Sequence, residues 1–236
     1  MEGLEGKVAY ITGGSKGIGL GIAQALLDIG MKVAISARSE HSLEAAAKLL
    51  GQERVLYLVA DVSNFEQEEA AVSRILETWD ALDVVIANAG VGHFAAVDEL
   101  SLEAWDQMIA TNLSGAFHTL KAAVPALKNS QGYYLSIASL AGTNFFAKGA
   151  GYNASKFGLV GFTQAAMLDL RQYGIKVSII MPGSVATYFN GNEPSDKDAW
   201  KIQPEDLGQI VVDLLKMNPR TLPSKVEVRP SRPDLK

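Results

Sequence analysis

The chain has 236 residues and is 48% hydrophobic, so it can bury a sizeable core. Its formal net charge of −5 argues against nucleic acid as a main partner, and the lack of cysteine excludes disulfides and cysteine nucleophiles. The 3 histidines show no ligand spacing, so no metal cofactor is expected. No apolar run approaches ~18 residues and the first residues show no signal pattern, so we expect no membrane contact and a cytoplasmic location.

A short apolar strand at residues 8–11 runs into a glycine-rich turn, and the helical pattern that follows stops at Gly30. Glycines in such a turn let the backbone approach a phosphate, and the helix N-terminus adds N–H donors and positive potential. The spacing departs from the usual G-x-G-x-x-G, and a simple tight turn is the alternative. We predict that the turn binds a dinucleotide through Gly13, Ser15, Lys16, Gly17, Ile18 and Gly19.

The second apolar strand, residues 32–36, ends in Ala37 and Arg38. Folds that select NAD place an acidic side chain near this point to bind the ribose 2′-hydroxyl. Arg38 instead offers a fork of donors that suits a 2′-phosphate, and Lys16 adds a second positive charge. The sequence therefore favours NADP(H) over NAD(H), unless Arg38 is an ordinary solvated residue.

Apolar runs alternate with helical patterns through the rest of the chain. The runs cover residues 55–59, 84–87, 133–137, 176–180 and 226–228, and helices are predicted near 42–50, 65–79, 102–124 and 204–217. Continuous apolar runs indicate parallel strands buried on both faces. We therefore predict an α/β fold, a three-layer doubly wound sheet. No linker divides the chain, so residues 1–236 are expected to form a single domain.

Polar and small residues follow these strands at the edge where open α/β sheets bind ligands. Candidates for the cofactor site are Asp61, Val62, Asn88, Ala89, Gly90, Pro182, Gly183, Val185 and Thr187. His93 and Phe94 are candidates for a substrate pocket, or simply part of a loop. Asn112 lies in the middle of a predicted helix, where asparagine has poor propensity, so it either has a special role or is merely exposed.

Tyr152 and Lys156 are four residues apart and share one face of a helix. An ammonium beside a phenol favours the phenolate, so we expect Lys156 to lower the pKa of Tyr152 from about 10 toward neutrality. Such a phenol suits general acid–base catalysis, although a pair of this kind also arises by chance. Ser139 follows the strand at 133–137 and would deliver a hydroxyl to the same edge. A Ser-His-Asp hydrolase is not indicated, because G-x-S-x-G is absent around Ser139.

Taken in this order, the motifs make the chain resemble the short-chain dehydrogenase/reductase family over about residues 6–215. The resemblance implies a Rossmann-type sheet of about seven parallel strands that binds NAD(P). It implies that Ser139 polarises the substrate oxygen and that Tyr152 passes its proton. Lys156 would bind the nicotinamide ribose and tune Tyr152, and Asn112 would hold a water of the proton relay.

By the same resemblance, Thr187 would contact the nicotinamide carboxamide and Asp61 the adenine. Similar proteins often form homodimers or homotetramers through long helices. The helix that carries Tyr152 has small or apolar residues nearly all round, which fits such an assembly.

The expected function is that of an NADP(H)-dependent oxidoreductase that interconverts a carbonyl and a secondary alcohol of a small-molecule substrate. Two alternatives remain open: a 3-oxoacyl-thioester reductase that serves an acyl carrier, and a non-catalytic dinucleotide-binding sensor. Residues 188–200 are expected to form a short lid, which favours an open site and a small or loosely selected substrate. The tail, residues 218–236, departs from the family pattern, and no role is assigned to it.

Overall fold

A parallel seven-stranded sheet lies at the centre of the computed structural model, which describes residues 3–232. The strands are β1 (Val8–Thr12), β2 (Lys32–Ala37), β3 (Val55–Val59), β4 (Val84–Ala87), β5 (Tyr133–Ile137), β6 (Lys176–Pro182) and β7 (Lys225–Val228). The helices are α1 (Gly17–Asp28), α2 (Glu40–Leu50), α3 (Phe65–Trp79), α4 (Leu102–Ile109), α5 (Gly115–Ser130), α6 (Ala150–Leu170) and α7 (Pro204–Lys216). The predicted doubly wound α/β architecture is confirmed.

The sheet has the order β3-β2-β1-β4-β5-β6-β7, so the chain changes direction between β1 and β4. The first three strands build outward on one side, and β4 returns to pair with β1 on the other. The loops after β1 and β4 therefore diverge at the carboxyl edge and leave a crevice between them. Open α/β sheets bind ligands at this switch point.

The strands bury both of their faces, and alternate side chains belong to different cores. In β1, Ala9 and Ile11 pack with α1 and α7 on one face, whereas Val8 and Tyr10 pack with α3 and α5 on the other. The edge strand β3 departs from the prediction of strands buried on both faces, because Tyr57 and Val59 remain 38% and 54% exposed. Two hydrophobic layers thus hold the carboxyl edge rigid between them.

Side chains cap three of the helices and fix where they begin. The hydroxyl of Ser39 accepts from the Ser42 amide before α2, and Asn64 Oδ1 accepts from the Gln67 amide before α3. Ser101 accepts from the Ala104 amide in the same way before α4. Each cap satisfies one of the N–H groups that the first turn of a helix leaves without a partner.

The predicted helix over residues 102–124 is helical throughout, but a π-helical turn divides it and it extends to Ser130. Helix α4 ends at Ile109, a π-helical turn spans Ala110–Ser114, and α5 continues to Ser130. The wider turn carries Asn112 into the interior, where it is 1% exposed. Asn112 is therefore not a surface residue, and π-helical turns of this kind are often found near functional sites.

The first part of the tail forms a regular strand of the sheet, because β7 pairs in parallel with β6. Residues 233–236 of the tail lie outside the described residues. Within residues 3–232, no helix is long and apolar enough to cross a membrane.

Candidate active site

A cleft of about 1390 Å³ opens at the carboxyl edge of the sheet. It is larger than the few hundred to about 1,000 Å³ that one small ligand usually occupies. Its lining runs from Arg38, past the glycine turn, to Tyr152 and the loop after β6. The cleft therefore has room for a dinucleotide and a substrate side by side.

The glycine turn forms the floor of the cleft and leads into α1. Gly17 has a φ of +56°, a left-handed conformation that glycine adopts without strain. Gly19 does not line the cleft, and a Cβ there would lie 2.5 Å from the Gly13 carbonyl. Among the described residues no side chain caps α1 and its first turn has no acidic residue, so its N–H groups remain available to an anion.

The end of the cleft beyond the glycine turn carries positive charge. Arg38 and Lys16 line it, and neither makes an ion pair or side-chain hydrogen bond within residues 3–232. Asp61 also lines this end, but its carboxylate accepts hydrogen bonds from the amide and hydroxyl of Ser63. A guanidinium and an ammonium without carboxylate partners suit a phosphate.

Ser139 and Tyr152 meet at the other end of the cleft. Ser139 follows β5 and its hydroxyl oxygen accepts from the Ala141 amide over 3.1 Å. The same hydroxyl lies close enough to the phenol of Tyr152, in the first turn of α6, to lower the pKa of that phenol. Burial nevertheless dominates and raises the pKa of Tyr152 to about 12, so the phenol keeps its proton at neutral pH.

Lys156 lies one helical turn beyond Tyr152 and is only 4% exposed. Its ammonium donates to the Ile137 carbonyl over 3.1 Å and lies 5.8 Å from the centre of the Tyr152 ring. Burial lowers the pKa of Lys156 to about 8, because the interior disfavours its charged form. The expectation that Lys156 lowers the pKa of Tyr152 is not met in this structure, since burial raises that pKa and the opposing contribution comes from the Ser139 hydroxyl.

Asn112 does not line the cleft, although its neighbour Thr111 does. Its Oδ1 accepts from the Val91 amide over 2.8 Å, and its Nδ2 donates to the Val91 carbonyl and to Ser155 Oγ, each over 2.9 Å. Both amide hydrogens are therefore used within the protein. The side chain joins three segments together.

The structure brings most of the other candidates to the cleft. Those that line it are Gly13, Ser15, Lys16, Gly17, Ile18, Arg38, Asp61, Val62, Asn88, Ala89, Gly90, Phe94, Pro182, Gly183, Val185 and Thr187. His93 does not, because its Nε2 contacts Gln107 Oε1 over 2.7 Å outside the cleft. Asn88 anchors the glycine turn by donating to the carbonyls of Thr12 and Gly13.

Several cleft residues were not found by sequence reasoning. Ser39 and Ser42 line the cleft near Arg38, Phe189 packs against Tyr152, and Phe146 packs against Phe94. Arg229 and Arg232 of the tail also line the cleft. The serines could have been found from their place directly after Arg38, but the phenylalanines lie in irregular loops whose course no periodicity predicts.

Comparison with known proteins places these features in a family context. The family model described as short chain dehydrogenase matches residues 7–198. An uncharacterized oxidoreductase of Staphylococcus aureus (strain MW2) is 32% identical over 232 residues, covering 98% of this chain and 100% of that protein. An alcohol dehydrogenase from the archaeon Thermococcus sibiricus, complexed with 5-hydroxy-NADP, is 35% identical with a TM-score of 0.91, covering 97% of this chain and 99% of that one. A 3-ketoacyl-(acyl-carrier-protein) reductase from Brucella melitensis, complexed with NADH, is 27% identical with a TM-score of 0.89 and the same coverage, 97% and 99%.

Proposed function

The chain belongs to the short-chain dehydrogenase family of oxidoreductases, and we propose that it is an NADPH-dependent reductase that converts a ketone into a secondary alcohol. The observation that carries the proposal is the convergence of Ser139, Tyr152 and Lys156 at one end of a dinucleotide-sized cleft. Bound NADPH supplies the hydride, and the protein orients the ketone and provides the proton.

Tyr152 is the general acid in this proposal. Its pKa of about 12 keeps the phenol protonated at neutral pH, so a proton is ready for the oxygen as the hydride reaches the carbon. Ser139 lies within hydrogen-bonding distance of the same phenol and donates a second hydrogen bond to the developing negative charge. Lys156, charged below about pH 8, contributes positive potential beside them.

NADP(H) is the preferred cofactor in this proposal. The fit rests on the uncapped N-terminus of α1 for the pyrophosphate and on Arg38 and Lys16 for the 2′-phosphate. Ser39, the residue before α2, adds a hydroxyl donor beside Arg38, whereas the Ser42 hydroxyl already donates to the Ser39 carbonyl. The cofactor named with the Thermococcus sibiricus structure is an NADP derivative, whereas that of the Brucella melitensis structure is NADH, so NAD(H) is the alternative.

A homodimer or homotetramer is part of the proposal. Phe117 on α5 and Phe157 and Leu168 on α6 are 48%, 43% and 54% exposed. Apolar side chains of this size on adjacent helices favour burial against another copy.

Residues 188–200 serve as a lid over a single domain, with Val185 bridged to Ile202 at its base.

A 3-oxoacyl-thioester reductase is the second candidate, favoured by the similarity to the Brucella melitensis reductase. The experiment is a panel of ketones, sugars and acyl thioesters, with NADPH oxidation followed by its near-ultraviolet absorbance. Steady turnover of ketones is expected. No oxidation with any compound contradicts the reductase proposal and leaves a dinucleotide-binding sensor, which NADPH titration then detects.

A further inference from the structure

Three phenylalanine rings lie near the proton donor and are here called the aromatic wall: Phe94 and Phe189, which pack against Tyr152, and Phe146, which packs against Phe94. The Phe94 ring packs edge to face against the Tyr152 ring, with 5.4 Å between the ring centres. The centre of the Phe189 ring lies 5.7 Å from that of Tyr152. Phe146 extends the wall at 5.8 Å from Phe94. Phe94 and Phe146 remain 40% and 47% exposed inside a concave cleft, where apolar surface favours a ligand that covers it.

The surrounding chain makes room for the aromatic wall. A Cβ at Gly92 would lie 2.6 Å from the Phe189 ring, and one at Gly149 would lie 2.7 Å from the Phe146 ring. Any larger residue at either position would displace a ring. The absence of a side chain at Gly92 and Gly149 therefore allows the rings to take their positions in the pocket.

The loop that carries Phe146 is also held in place. Asn153, next to Tyr152, donates to the carbonyls of Ala141 and Asn144 over 2.7 and 2.8 Å. Its Oδ1 accepts from the Phe146 amide over 3.4 Å. The helix that positions the acid thus also positions the loop that bears one of the rings, so the wall is organised before a substrate binds.

The tail forms the opposite side of the same end of the cleft. The Gly183 amide donates to the Val228 carbonyl over 2.8 Å, which brings the residues after β7 against the loop after β6. A Cβ at Gly183 would lie 3.3 Å from Pro230 and 3.1 Å from Leu140, the residue after Ser139. The arginines of the tail therefore stand on the Ser139 side of the cleft.

The charge at this end is positive. Besides Lys156, three cations line it, of which Lys201 pairs with Asp198 and Arg229 pairs with Glu227. Arg232 makes no ion pair or side-chain hydrogen bond in the described part of the chain. Among the described lining residues the only carboxylate is Asp61, which lies with Arg38 at the far end. An exposed guanidinium that has no carboxylate partner among the described residues favours a carboxylate on the ligand.

We propose that the substrate is an aryl ketone with a carboxylate remote from its carbonyl, the aromatic wall receiving the ring and Arg232 the carboxylate. This inference rests on the proposed reductase function and specifies its substrate class. Edge-to-face packing on three rings selects a flat apolar body, and a forked arginine fixes its far end. A small or loosely selected substrate, expected from the short lid, would leave both features unused.

The test compares para-acetylbenzoate with para-methylacetophenone, which share ring and ketone and differ in the charged group. The wild-type protein should show a kcat/KM about tenfold higher for the acid, because Arg232 forms a charge-assisted hydrogen bond with its carboxylate. Arg232→Gln should reduce that ratio toward one. Arg220→Gln, which changes an exposed arginine outside the cleft lining, should leave the ratio as in the wild type.

A binding measurement separates recognition from turnover. Calorimetric titration of para-acetylbenzoate into the protein loaded with NADP⁺ should give a Kd about tenfold weaker in Arg232→Gln. Phe146→Ala should weaken binding of both compounds, and Phe146→Leu, which keeps apolar bulk, should restore part of it. Equal kcat/KM for the two ketones, with no effect of Arg232→Gln, would overturn this inference and leave the reductase function standing. Absence of turnover with every ketone would overturn both.

Discussion

Asn112 donates its side-chain amide to Ser155 Oγ over 2.9 Å, and this bond joins the π-helical turn to α6 directly beside Lys156. Ser155 in turn donates to the Tyr152 carbonyl over 2.8 Å. The same amide group of Asn112 also holds the backbone of Val91 through two hydrogen bonds. One buried side chain therefore links the loop after β4 to the helix that carries Tyr152.

Replacing Asn112 by alanine should destabilise the fold. The substitution removes three hydrogen bonds and leaves buried groups without partners, so the free energy of unfolding should fall by about 2–4 kcal/mol in urea denaturation. Asn129→Ala, on the exposed surface of α5, should change it by less than about 0.5 kcal/mol. An unchanged midpoint in Asn112→Ala would show that these bonds contribute little.

The sequence predicts the elements that follow simple periodicity. Tyr152 and Lys156 come together because a helix places residues four apart on one face, and Arg38 reaches the cleft because it ends a parallel strand. The π-helical turn around Asn112 interrupts an otherwise regular pattern, so periodicity predicts a continuous helix there. Its position depends on contacts with residues distant in sequence.

Other features require three-dimensional information for different reasons. His93 and Phe94 are adjacent, and only the course of an irregular loop decides which one faces the cleft. The Phe189 ring reaches Tyr152 and the Phe146 ring reaches Phe94, each from a separate loop. The pKa of Tyr152 follows from how deeply the phenol is buried, and a motif does not report burial.

Tyr152→Phe should abolish most ketone reduction while NADPH still binds. Loss of a general acid lowers the rate by about 10²–10⁴-fold, whereas the phenylalanine ring preserves the packing against Phe94 and Phe189. The measurements are kcat with the best ketone and NADPH affinity by fluorescence titration. Tyr173→Phe, a half-exposed tyrosine away from the cleft, serves as the matched control. Full activity in Tyr152→Phe would refute the assignment of the acid.

Arg38→Ala should change which cofactor is preferred. The wild type is expected to show a higher kcat/KM with NADPH than with NADH. In Arg38→Ala, kcat/KM with NADPH should fall by about 10–100-fold while the value with NADH stays the same, because the guanidinium that pairs with the 2′-phosphate is absent. Arg74→Ala, an exposed arginine on α3, should have no effect on either value. Higher efficiency with NADH in the wild type would refute the assignment of NADP(H).

The pH dependence of ketone reduction should report Lys156. Burial lowers the pKa of this lysine to about 8, so its ammonium is charged below that pH and is lost as the pH rises through it. Tyr152, with a pKa of about 12, keeps its proton across the same pH range and cannot cause a change in rate there. With NADPH saturating, kcat/KM for the ketone should therefore be level near pH 6–7 and decline above about pH 8 as the positive potential beside the developing oxyanion disappears. Circular dichroism at alkaline pH will show whether the protein is still folded where the rate declines. If kcat/KM stays level up to about pH 10 in the folded protein, Lys156 is excluded as the titrating group.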